Sequence, residues 1–205
     1  MKVYAEFERL LTGVEDFATL VSKITEAFDR YVNQALYEAL IGVGTTLGAQ
    51  WYKSSAIDAS TKETLRTLCM DVGMASDSEV VIMGTRAALA SVFALNDVSW
   101  ASGDMKNEMY TTGRFGYWEG IRLVELKQGF KLNDTTQYLV ANDVLFIMPV
   151  GVEPMLKLVY EGDTRMYQVQ DAGTHMDMTY DYEVQTKMGI GVMLNQKFGY
   201  WKIIK

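Results

Sequence analysis

Few residues in this chain are suited to chemistry, and they are scattered. Its 205 residues hold one histidine, His175, and one cysteine, Cys69. His175 stands two residues before Asp177, an HxD pair that could ligate a metal or orient a base. Two ligands leave a zinc site incomplete, and no other histidine exists to finish it, so a surface-turn histidine is the favoured reading. Cys69 falls at an apolar helical position with Leu65, Leu68 and Val72 and has no base nearby in sequence. That pattern describes a buried structural thiol better than a nucleophile. Asp177, Asp181 and Glu183 share one parity of an alternating run and could hold Mg²⁺ or do general acid–base work. A solvated or interfacial strand face is the favoured alternative. No motif commits the chain to a reaction, and no residue is assigned a catalytic, cofactor-binding or metal role.

Two glycine-containing stretches could cradle a phosphate. In GRFGYWEGIRLVELK, Gly113 to Lys127, a dinucleotide loop would have to follow a strand and open a helix. The preceding KNEMYTTG has no strand pattern and the following IRLVELK alternates like a strand, so a loop feeding a strand is expected. In SEVVIMGTRAALASVF, a strand (Val80–Met83), a Gly84–Thr85 turn and a helix (Arg86–Phe93) have the right order. The remaining glycines and the lysine of a P-loop are missing. The motif FGYW occurs twice, at Phe115–Trp118 and Phe198–Trp201. Both copies could stack on ligands, but packing at lobe or subunit contacts is favoured.

Several elements must position these residues. Apolar residues at Leu20, Val21, Ile24, Phe28, Tyr31, Val32, Ala35, Leu36, Ala39 and Leu40 predict an amphipathic helix from near Glu15 to Ile41, roughly 40 Å long. Gly42 and Gly44 are expected to end it. Ser60 and Glu63 form a capping-box pattern for a second helix from Thr61 to about Gly73. Strands are expected at Ile121–Lys127, Tyr138–Val140, Val144–Met148, Met155–Tyr160 and Arg165–Gln170. From Met176 to Leu194 every even position is apolar or threonine, while odd positions from Asp177 to Gly191 carry polar residues and then glycines. That period of two predicts one very long strand, about 60 Å if unbroken, or one bent at the glycines. A long helix beside a long strand makes an elongated lobe, which suits a subunit that tiles more than an enzyme.

Composition narrows the class. With 49% hydrophobic and 22% charged residues the chain is an ordinary globular one, large enough for one domain or two joined lobes. Nineteen basic against 26 acidic residues give a net charge of −7, without the basic stripe that tight nucleic-acid binding needs. Thirteen methionines are consistent with adaptable interfaces or with simple core filling. One cysteine excludes an internal disulfide and points to a reducing cytoplasm. No signal-peptide pattern occurs, and no apolar run approaches the ~20 residues of a membrane helix.

The succession of the long amphipathic helix, EVVIMGTRAALASVF, GRFGYWEGIRLVELKQ, NDVLFIMPVGVEPMLKLVYEG and TYDYEVQTKMGIGVMLNQKFGYWKI resembles the major capsid proteins of tailed bacteriophages and prophages, the Hong Kong 97 fold. The resemblance covers about residues 14 to 205. It implies an α+β fold with a long spine helix, a long strand region and a mixed axial domain. Residues 1–13 would be an N-terminal remnant, 14–48 with 146–192 a discontinuous peripheral domain, and 49–145 with 193–205 the axial domain. The implied function is a non-enzymatic, self-assembling subunit of an icosahedral shell that encloses DNA. A nanocompartment shell protein is the alternative, with a carboxylate- or metal-dependent enzyme behind it. The resemblance further implies no cofactor, contacts with copies of itself, with a portal and with a scaffold or maturation protease, non-specific contact with DNA, and no membrane. It places the protein in the virion capsid, assembled in the bacterial host cytoplasm. Family members carry an N-terminal arm and an extended hairpin loop before the spine helix, and about fourteen residues precede it here. The expectation is therefore a chain lacking those lacing elements, associating weakly, with no crosslinking residue carried over.

Overall fold

A computed structural model describes residues 2–6, 17–95, 103–104, 107, 116–131, 134–170, 179–194 and 196–204. The chain divides into two compact units, residues 1–36 with 157–191 and residues 37–156 with 192–205.

The larger unit is built on a six-stranded sheet. In chain order its strands are β2 (Tyr52–Ser55), β3 (Val80–Gly84), β4 (Tyr117–Trp118), β5 (Ile121–Glu125), β8 (Val144–Pro149) and β11 (Gly199–Ile203). They lie in the order β2-β11-β8-β3-β5-β4. The β2–β11 and β3–β5 pairs are parallel, and the other three are antiparallel. The central strand β8 reads VLFIMP and is buried on both faces, which explains its continuous apolar run. Leu145 and Ile147 enter one core with Leu65, Leu68 and Val72 of α2 (Lys62–Ser76) and Leu89 and Val92 of α3 (Arg86–Phe93). Val144 and Phe146 enter a second core with Leu40, Phe198 and Tyr200. A pair between β6 (Phe130–Lys131) and β7 (Asp134–Tyr138) forms a separate ribbon.

Three local expectations change for physical reasons. The second helix starts at Lys62, but the capping box does not form: Thr61 makes no side-chain cap bond. Asp58 Oδ1 instead accepts from Ser60 N (2.9 Å), Thr61 N (3.1 Å) and Ser60 Oγ (2.6 Å), an Asx turn that takes the Ser60 N–H a capping box would use. The helix also runs past Gly73 to Ser76, where Asp77 takes the left-handed conformation at φ 45°. The strand expected at Tyr138–Val140 lies earlier, at Asp134–Tyr138. Val140 is held by the Gln128 amide, which donates to Val140 O (2.8 Å) and accepts from Val140 N (3.1 Å) like a backbone neighbour.

The long helix α1 spans Phe17–Gly44. Gly44 is its last residue rather than a breaker beyond it, because Tyr200 lies against the site. The smaller unit holds the first part of α1 and a three-stranded sheet ordered β1-β10-β9, from β1 (Lys2–Glu6), β10 (Thr179–Val192) and β9 (Leu156–Gln170). β1 runs antiparallel to β10, with Lys2 opposite Glu183 and Glu6 opposite Thr179, a strand that the sequence pattern did not reveal. In β10 the even positions from Val184 to Val192 are half-buried and the odd positions from Gln185 to Gly191 are exposed, as the alternation predicts. The two short strands expected between Met155 and Gln170 are one, with Gly162 at φ 76° inside it. Among the described side chains of this unit only Ile24 and Val32 are buried.

Candidate functional site

Among the described residues, those singled out for chemistry do not assemble a reaction centre. His175 and Asp177 lie outside the described residues. Asp181 has its backbone in β10 opposite Tyr4, and Glu183, half-buried, accepts from Gln185 Nε2 at 2.8 Å. Among the described residues no three histidine, cysteine or acidic side chains converge as metal ligands. Cys69 is buried on α2 between helix and sheet. Burial, aided by the charge of Glu119, pushes its thiol up to about 12, far from the thiolate that a nucleophile requires.

The glycine run has a shaping role in the described part, residues 116 onward. Glu119 and Gly120 form a two-residue hairpin turn between β4 and β5, both at positive φ (48° and 85°), as a type I′ turn requires. Glycine adopts that backbone freely, and glutamate does not. Glu119 is retained there by its carboxylate. Arg66 Nε donates to Oε2 and Arg66 Nη2 to Oε1, both at 2.8 Å, while Lys62 Nζ lies 2.9 Å from Oε1. Glu63 completes the cluster, 2.6 Å from Arg66 Nη1. The Arg66 hydrogen bonds, with help from Lys62, hold the Glu119 carboxyl down to about 2 from its ordinary 4.5. The arrangement fastens α2 to the β4–β5 hairpin and offers no phosphate cradle. The β3–α3 junction is likewise structural. A side chain at Gly84 would stand 2.7 Å from Leu145 Cδ2, and Thr85 caps α3 by accepting from Ala88 N.

The second FGYW run is core. Tyr200 stacks on Tyr52 (5.6 Å between ring centroids) and meets Phe146 edge-on at 5.5 Å. Trp201 Nε1 donates to Ser55 O at 3.1 Å. Of the first run, Trp118 is fully buried and Tyr117 exposed.

Among the described residues the surface carries several exposed apolar side chains and no assembled ligand site. Met70 and Met74 stand exposed one turn apart on α2. Phe130 and Tyr138 stack on each other in solvent, 5.6 Å apart, beside an open cleft of about 470 Å³ lined by Ala87, Ser91, Val140 and Asn142. Val159, Tyr160, Met166 and Tyr167 are exposed along β9. No helix among the described residues is long and apolar enough to cross a membrane. Exposed apolar clusters are common where proteins meet other proteins.

The comparisons with known proteins decide what sort of partner. Residues 1–202 match the family described as "SPbeta prophage-derived putative capsid protein YonB". The chain belongs to the YonB capsid-protein family. Its fold is that of phage capsids. It superposes on the mature capsid protein of bacteriophage PhiM1 with a TM-score of 0.60 at 12% identity, over 100% of this chain and 70% of that one. For the satellite phage P4 procapsid, which includes the size determination protein, the TM-score is 0.62 at 10% identity, over 100% and 69%. The SrpI encapsulin of Synechococcus elongatus is also similar, with a TM-score of 0.56 at 12% identity over 98% and 71%. No curated protein matches the sequence. The YonB-family chain therefore has the α+β Hong Kong 97 fold and is a structural, self-associating shell protein rather than an enzyme.

Proposed function

We propose that this chain is the repeating subunit of a prophage-encoded icosahedral capsid, assembled in the host cytoplasm around DNA. The family match over residues 1–202 carries the reading. The burial pattern supports it, since the described surface holds apolar patches but no reaction centre. Under this reading residues 37–156 with 192–205 act as the axial domain and residues 1–36 with 157–191 as the peripheral one. A portal and a scaffold or maturation protease complete assembly. DNA is enclosed rather than read, consistent with a net charge of −7.

Nuclease treatment of purified particles tests the proposal. Particles containing the chain should retain DNA protected from nuclease. Particles packed with a single protein cargo and free of DNA would instead establish a nanocompartment, the reading that the encapsulin likeness favours.

A further inference from the structure

β9 ends the three-stranded sheet, and among the described residues no strand lies on its outer edge. Among the described residues the backbone donors and acceptors of its Val159–Tyr167 stretch meet no strand there, and folds usually shield such an edge. Here it is long, fifteen residues, and every residue from Val159 to Tyr167 is exposed. Four of them are apolar or aromatic: Val159 (62% exposed), Tyr160 (50%), Met166 (44%) and Tyr167 (43%).

The order of residues along this edge is self-complementary. Laid antiparallel against a second β9 with Asp163 on a two-fold axis, each residue opposes the one whose number sums with its own to twice 163. Val159 then faces Tyr167, Tyr160 faces Met166, and Glu161 faces Arg165, each pair occurring twice. Aromatic–aliphatic and opposite-charge pairs are those that stabilise neighbouring strands. Gly162, at φ 76°, is a local irregularity in the strand and faces Thr164 without a side chain to clash with it. The one unfavourable pair is Asp163 with itself. Each copy also brings Arg165 and Lys187, whose Nζ lies 2.6 Å from Glu161, so the charges near the axis sum to zero.

From this charge and apolar complementarity we infer that β9 is a homotypic docking edge, joining two copies of the chain through antiparallel pairing about Asp163. The inference rests on the shell-subunit reading only in taking a second copy as the partner. A single nine-residue ribbon falls below the ~1,200 Å² of stable interfaces, so the contact is weak alone and effective through repetition.

Cysteine crosslinking of the full chain tests the register. Opposed residues in an antiparallel pair lie within disulfide range, so Asp163→Cys should give a disulfide dimer under mild oxidant. Val159→Cys is as exposed, yet in this register its copies stand ~26 Å apart and should not crosslink. The native Cys69 is buried and stays out of the reaction. The expected result is dimer formation on the order of tenfold faster for Asp163→Cys than for Val159→Cys or the exposed control Thr135→Cys. On the Asp163→Cys background, Glu161→Arg should slow crosslinking about fivefold, and adding Arg165→Glu should restore it. Equal rates at 163 and 159, or no recovery in the double charge swap, would overturn the proposal. If native particles still form when β9 fails these tests, the docking edge is refuted and the shell function stands.

Discussion

The guanidinium of Arg66 grips both carboxylate oxygens of Glu119 at 2.8 Å, joining a helix to a hairpin 53 residues away. The contact holds a non-glycine residue in left-handed backbone at φ 48°. Glu119→Gln keeps that backbone demand and loses the charge, and should cost about 1 kcal/mol at neutral pH, because the site is partly exposed. Glu119→Gly loses the clasp but relieves the strain, and should cost less than Glu119→Gln. Urea denaturation of the three proteins checks the order.

The same pair fixes a pH dependence. The folded carboxyl is held at about 2, below its ordinary 4.5. Its contribution is therefore complete above about pH 4.5 and fades as pH falls through about 2. The stability gap between the native chain and Glu119→Gln should be widest at neutral pH and close in acid. A gap that is constant from pH 7 to pH 2.5 would show that the ion pair contributes nothing.

Two glycines near the end of α1 should respond in opposite directions. A methyl at Gly44 would overlap the Tyr200 ring, with Cγ and Cε2 both at 2.9 Å, whereas nothing lies within 4 Å of one at Gly42. Gly44→Ala should lower the melting temperature, costing about 1–3 kcal/mol through overpacking. Gly42→Ala should raise stability by up to about 1 kcal/mol through helix propensity. Circular dichroism melts of the two variants separate these effects.

Cys69 should behave as a core atom. With its thiol pushed up to about 12 and its side chain buried, it should resist alkylation at pH 8 in the folded protein and react at once in denaturant. Cys69→Ala should fold, at a cost of about 1–2 kcal/mol for the small cavity. Rapid alkylation of native protein would contradict its placement.

Residue types made much of this fold legible. The stripe from Val21 to Leu40 (Tyr31 excepted), the run VLFIMP and the alternation of β10 from Val184 to Val192 each follow from local periodicity, and the structure reproduces them. Features that depend on distant partners were not legible. β1 exists by pairing with β10 across more than 170 residues, and Gln128 substitutes for a strand neighbour at Val140. Ser60 and Glu63 carry a capping-box pattern, yet Ser60 is engaged in the Asx turn of Asp58 and the helix starts one residue later. Gly84 and Gly44 look like anion-loop and helix-stop signals, yet both are there for close approach of Leu145 and Tyr200. Which apolar positions remain exposed, as Tyr31, Val159 and Met74 do, was not legible either, because exposure depends on what the rest of the chain covers.

Copies of this chain form the wall of a phage-type shell. Particles purified from induced host cells can be imaged by cryo-electron microscopy, and the same fraction digested for mass spectrometry. Icosahedral shells are expected whose repeating density fits α1, the six-stranded sheet and the β9–β10 ribbon, with this chain as their most abundant protein. Shells built from a different protein, with this chain absent from them, would contradict that expectation.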